Sequence, residues 1–238
     1  MNDEKDLSIG GLKEMAVYDE GAQEQALNVY NRTIGLMLLF GFAVNALLTH
    51  FLGWQIYDLM SGEAGASLPV IFLIGYLVLC FAGNAVMRGA RSDAVCFLGY
   101  CMIVVPVGVL LSTVVCTYDR ELVSCAMLLT GLVTACMMGL SMWKPEWFLS
   151  IGRTLGISLG VTILVEFVAS FFFHYGSNIV DWAVVAIMSL YVGYDWARAN
   201  TVQPTVRNAI IVSASLYLDI VNIFLRLLRI LGKTKKRR

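Results

Sequence analysis

Ser215-Leu-Tyr-Leu-Asp-Ile-Val-Asn-Ile-Phe-Leu-Arg-Leu-Leu-Arg-Ile-Leu-Gly232 is apolar enough to enter a bilayer, yet carries an acid, Asp219, in its middle. About 20 apolar residues suffice for a helix to cross the hydrocarbon, and a carboxylate at that depth must be neutralised or paired. An ionisable group inside a membrane is a reason to look for function. A second acid, Asp195, closes the preceding apolar stretch.

The rest of the chain is of the same kind. Of its 238 residues, 58% are hydrophobic and 14% charged, against about 25% charged in a soluble domain. Apolar stretches of spanning length occur at residues 29–52, 68–87, 94–115, 121–142, 152–174, 179–200 and 206–230. These predict an all-α, polytopic integral membrane protein: a membrane domain over 29–231, a polar head over 1–28 and a basic tail over 232–238. The head lacks the basic start, apolar core and small-residue cleavage site of a signal peptide, so the first apolar stretch is expected to be retained.

Lys and Arg fall on alternate loops. Lys5, Lys13 and Arg32, then Arg88 and Arg91, Lys144 and Arg153, and Arg198 and Arg207 lie on one side, and Arg120 on the other. The richer side is expected in the cytoplasm, with the N-terminus. Seven crossings then put Arg226, Arg229, Lys233, Lys235, Lys236, Arg237 and Arg238 on the poorer side, against the same rule. Either the last stretch spans regardless, which is favoured, or it re-enters and returns the tail to the cytoplasm.

Pro204 marks the turn between the last two stretches, because proline disfavours helix at the residue before it. Asp195 and Asp219 have their midpoint at residue 207, within three residues of that turn. In an antiparallel hairpin the two carboxylates then lie at similar depth, roughly 13 to 18 Å from the turn at 1.5 Å per residue. Such a pair cannot ionise twice cheaply, so it should share a proton and act as a pH switch. Protonated, it clamps the two helices; deprotonated, it repels, or captures a cation, and oxygen ligands suit Ca²⁺. Asp195 and Asp219 are accordingly the candidate transient Ca²⁺ ligands.

Arg88 is the candidate third member, since a guanidinium can hold one carboxylate ionised; its alternative role is a cytoplasmic anchor. Glu166 and Asn222 are candidates for an ion path, and Asn222 shares a helix face with Asp219 and Arg226. Tyr194 and Tyr217 precede the acids and are possible donors to them. Gly152, Gly156 and Gly160, and Gly131, Ala135 and Gly139, have the four-residue spacing of close helix packing. Pro106 is a potential kink.

Cys80, Cys96, Cys101, Cys116, Cys125 and Cys136 lie in or beside apolar stretches and read as small hydrophobes. No Cys and His have zinc spacing, and no His-Glu-x-x-His occurs. Tyr194-Asp195 with Asp219 has the layout of an intramembrane aspartyl protease. Leu216-Tyr217-Leu218 replaces the glycine flank that admits a substrate backbone, however, and no Pro-Ala-Leu follows. Neither an enzyme nor a cofactor is expected. The one basic cluster is a juxtamembrane tail suited to lipid, not nucleic acid.

The Ser215–Gly232 motif resembles the last helix of the Bax inhibitor family, also called the transmembrane Bax inhibitor motif family, in its bacterial-type form. Tyr191-Val-Gly-Tyr-Asp195 is similar to the end of that family's sixth helix. Val29-Tyr30 with Gly35-Leu-Met-Leu-Leu39 is similar to its first, and Met87-Arg88 to the end of its second. The resemblance implies a seven-helix bundle with a central last helix and a paired aspartate that senses pH for a calcium leak. Asp195 and Asp219 match that dyad, and Arg88 the arginine that pairs with it. It also implies the plasma (inner) membrane of a bacterium, with the lipid bilayer and Ca²⁺ or H⁺ as partners. Bacterial members can carry a glutamate about three turns before that arginine, where this chain has Leu77. The alternative is a non-conducting regulator or scaffold of another membrane protein, such as a membrane-bound protease or a cell-death component.

Overall fold

Apolar runs broken by Ser, Pro and short polar turns build every described element of this chain as helix. The computed structural model describes residues 3–61, 67–158, 160–161 and 178–235. In chain order these form α1 (Asp3–Ser61), α2 (Ser67–Gly89), α3 (Asp93–Val115), α4 (Arg120–Trp143), α5 (Pro145–Ser150), α6 (Asn178–Ala199) and α7 (Val206–Lys235). Residues 152–158 are also helical.

The breaks have local causes. The Ser92 hydroxyl accepts from the Val95 N–H at 3.4 Å and starts α3. Pro145 opens α5, where its missing N–H costs nothing. Pro204 stands in the turn before α7, and the Thr205 hydroxyl accepts from the Asn208 N–H at 3.2 Å. Pro106 lies inside α3, which continues through it as one helix.

Two expectations are corrected. Among the described residues six helices, not seven, are long and apolar enough to cross a membrane: α1 from Gln23, α2, α3, α4, α6 and α7. Between Trp143 and Asn178 the described chain holds only the six-residue α5 and the helical stretch 152–158. The six residues of α5 are too short to span at 1.5 Å per residue, and the second stretch runs on into residues outside those described. Most of the expected span at 152–174, with Glu166 and His174, lies outside the described residues.

Nor is the last helix the hub of a surrounding ring. It is a shared wall between two separate cores. One face, with Leu216, Ile223 and Leu228, packs with Tyr30 and Ile34 of α1, Ala126 of α4 and Val184, Met188 and Val192 of α6. The other, with Ala214, Tyr217 and Val221, packs with Met87 of α2 and Tyr100, Ile103 and Val107 of α3. Ile211, Val212, Ile220 and Phe224 stay half-buried on its flanks. The physical reason lies in its composition, because Ser213, Ser215, Asp219, Asn222, Arg226 and Arg229 interrupt its apolar surface where a hub helix would be apolar all round.

Lipid tails are as apolar as leucine, so close fit rather than exclusion of water holds such helices together. Between α2 and α3 the approach is backbone to backbone. A methyl group at Gly83 would stand 2.6 Å from the Gly99 carbonyl oxygen, and one at Gly99 would stand 2.8 Å from that of Gly83. On α1, Gly41 makes room for the Tyr100 hydroxyl and the Tyr217 ring. The four-residue glycine spacings divide. Gly152 abuts Tyr194, and a methyl group at Gly156 would stand 3.7 Å from the Tyr191 hydroxyl, whereas one at Gly131, Gly139 or Gly160 would meet nothing within 4 Å among the described residues.

A buried polar contact crosses the second core, where the Tyr217 hydroxyl donates to Asn45 Oδ1 at 2.9 Å. The Asn45 Nδ2 is buried without an acceptor among the described residues. Tyr217→Phe therefore strands the whole amide and should lower stability by about 1–3 kcal/mol. Thermal unfolding in detergent checks this. The double variant with Asn45→Leu should recover most of the loss, because removing both polar partners together is nearly neutral. A Tyr217→Phe protein as stable as the parent would refute it.

Candidate functional site

The site is set by how the end of α6 and the start of α7 are pinned. The Tyr30 hydroxyl of α1 donates to the Ala199 carbonyl at 2.9 Å. Arg207 donates from Nη1 to the Ala90 carbonyl between α2 and α3 at 2.7 Å. The Ser141 hydroxyl of α4 donates to the Gly193 carbonyl at 2.6 Å. Phe148 of α5 fills the space beside Gly193, and Tyr194 lies against Gly152. Residues just before and after Asp195 are thus gripped from α1, α4 and α5.

Within this frame Asp195 and Asp219 are both buried, and their carboxyl groups are hydrogen-bonded to each other. A carboxyl can donate to another only while it carries a proton, so a single proton is enough to join the two. Ser215 of α7 and Arg198 of α6 both lie close enough to act on Asp195. Asp219 has neither aid, and its Oδ2 is buried with no donor among the described residues. Tyr191 lies close enough to feel both acids.

Several neighbours differ from those expected. Arg88 donates from Nε to Asn84 Oδ1 at 2.9 Å, one turn back on α2, and the guanidinium acting on Asp195 is Arg198 instead. Asn222 donates to the Leu218 carbonyl of its own helix at 2.9 Å. Tyr217 points to Asn45 and Tyr194 to Gly152, so neither donates to the acids. Tyr191, Ser215 and Arg198 were not singled out from the sequence. Helical spacing could have found them: Tyr191 lies four residues before Asp195, Ser215 four before Asp219 and Arg198 three after Asp195.

A second charged cluster, also unexpected, stands at the opposite end of the α6–α7 pair. The Asp181 side chain, only 3% exposed, takes Arg226 Nη1 at 3.1 Å and Arg229 Nη1 at 3.2 Å on Oδ1, and Lys233 Nζ at 2.9 Å on Oδ2. The signal was present, since Asp181 precedes Pro204 by about as many residues as Arg226 and Arg229 follow it. Among the described residues no group of three or more His, Cys, Asp or Glu could hold a metal ion.

The family model described as inhibitor of apoptosis-promoting Bax1 matches residues 23–236, which include both acids and both charged clusters. The chain belongs to this Bax inhibitor family. No curated protein and no solved structure gives a match. The protein is an integral, multi-pass member of a non-catalytic Bax inhibitor family. Gly156-Ile-Ser-Leu-Gly160 spells the serine-hydrolase pattern Gly-x-Ser-x-Gly by letters alone. That pattern works on a strand-to-helix turn, whereas residues 152–158 of this Bax inhibitor family chain are helical, and no strand occurs among the described residues.

Proposed function

We propose that this chain is a pH-gated cation leak, with Ca²⁺ as the permeating ion and Asp195 and Asp219 as its gate. The observation that carries the reading is the buried hydrogen bond between two carboxyl groups on adjacent helices. One proton shared by the two acids belongs to the pair as a unit. With the proton in place the pair ties α6 to α7. With it gone, two like charges face each other in a poorly solvated site, and the helices part or take up a cation. Two carboxylates fall well short of the six to eight oxygens of a resident Ca²⁺ site, which fits passage better than storage.

This reading places the N-terminus in the cytoplasm and the protein in a bacterial plasma (inner) membrane as a bacterial-type member. Its support is that Tyr30 meets Ala199, Ala90 meets Arg207 and Ser141 meets Gly193, which gathers the Arg- and Lys-rich turns at one end of the bundle. Basic turns collect on the cytoplasmic side.

The test is Ca²⁺ uptake into dye-loaded proteoliposomes across a pH series. Uptake should be low where the pair keeps its proton and rise as the proton leaves. Uptake equal to that of protein-free vesicles at every pH would remove the leak. A second reading would then stand, in which the chain is a non-conducting regulator of another membrane protein. It draws on Leu77, apolar and 44% exposed where bacterial relatives can hold a glutamate.

A further inference from the structure

Asp181 has no part in the gate itself, yet it is the most heavily contacted carboxylate among the described residues. One buried side chain draws three cations from three successive turns of α7, at 2.9 to 3.2 Å. Both helices favour the arrangement, because Asp181 lies in the first turn of α6, where the helix dipole welcomes an anion. The cations lie toward the C-terminal end of α7, where the dipole welcomes positive charge.

The placement relative to the gate gives the cluster its meaning. Asp181 and Asp195 are fourteen residues apart on α6, about 21 Å along the axis, and Asp219 and Arg226 are seven apart on α7, about 10 Å. Beyond the gate on the near side, α6 and α7 are joined covalently through Asn200–Thr205. On the far side they are joined by the charged cluster. The carboxyl pair is therefore bracketed between a chain turn and an ion-pair tie.

We propose that Asp181 is a positioning residue for the gate: by gathering Arg226, Arg229 and Lys233 it fixes the far ends of α6 and α7 together. Two helices tied at both ends can separate between the ties only by bowing or rotating. Released at the far end, they can splay from the turn like a hinge, and the carboxyl pair alone must hold them. The proposal rests on the gating reading for its effect on flux, but not for the tie itself.

Two measurements separate those parts. In a background without the native cysteines, spin labels at Trp182→Cys, whose parent side chain is 55% exposed, and Thr234→Cys, which is also exposed, report the far-end distance. The parent and Asp181→Glu should give one narrow distance, and Asp181→Asn a longer, broader one. Ca²⁺ uptake at the pH where the parent is closed should rise about tenfold in Asp181→Asn and stay near the parent level in Asp181→Glu. Should Asp181→Asn fail to fold, Lys233→Gln alone and then with Arg229→Gln should broaden the distance in steps.

An unchanged distance in Asp181→Asn, or in the graded pair, overturns the tie. A broadened distance with unchanged uptake overturns the positioning role. A parent that conducts nothing overturns the gating reading instead, and the distances alone then decide the tie.

Discussion

Asp219→Asn should hold Ca²⁺ uptake at its closed level across the whole pH range over which the parent protein opens. An asparagine amide has the shape of a protonated carboxyl group and donates permanently to the Asp195 carboxylate, so the tie between α6 and α7 no longer depends on a proton. Asp219→Ala removes the bridge altogether and should leave uptake high and equally insensitive to pH. A hydrogen bond to a charged group is worth about 1.5–3 kcal/mol, so losing it should move the balance of closed and open forms by roughly ten- to a hundredfold. The two substitutions thus lose the same pH response with opposite basal levels. If either kept the pH profile of the parent, the carboxyl pair would not be the gate.

The largest effect on stability should come from Gly83→Ala or Gly99→Ala. At these positions an added methyl group meets backbone atoms of the facing helix, the Gly99 oxygen at 2.6 Å or the Gly83 oxygen at 2.8 Å. Backbone cannot rotate aside, so α2 and α3 must move apart along their contact, at a cost of about 1–3 kcal/mol or somewhat more. For a chain of this length that lowers the thermal midpoint by roughly 2–12 °C. Gly75 on the same α2 meets nothing within 4 Å, so Gly75→Ala should leave the midpoint unchanged or raise it slightly through better helix propensity. Equal shifts for Gly75→Ala and Gly83→Ala in detergent would show that the close approach of α2 and α3 does not matter.

The all-helical, membrane-spanning class was legible because a run of about 20 apolar residues has few other uses. The pairing of Asp195 with Asp219 was legible for a geometric reason: in a hairpin, depth follows from distance to the turn, and Pro204 supplied the turn. Side-chain partners were harder to read. Arg88 was chosen by likeness, and in the fold its Nε turns to Asn84 of its own helix, while the guanidinium acting on Asp195 is Arg198 of the acid's own helix.

The basic end of α7 was counted as free charge in conflict with the other loops. In the fold three of those cations turn back onto one acid, a contact between residues 45 to 52 positions apart. Glycine spacing was a partial guide. Gly152 and Gly156 have the regular interval and face Tyr194 and Tyr191, whereas Gly131 and Gly139 have it without a close neighbour among the described residues, and Gly83 and Gly99 meet across two helices and show no interval within either. The count of spans rested on composition alone, and of the expected seventh, at 152–174, most lies outside the described residues.

Because the same helix walls both cores, neither can close before that helix arrives. Synthesis delivers it after every other described element, so the α1–α3 group and the α4–α6 group must wait in the bilayer with an open side until α7 is inserted between them. Assembly is then completed by one late step, and the helix that carries the proton-sensing acid is also the one whose arrival turns two unfinished halves into a single protein.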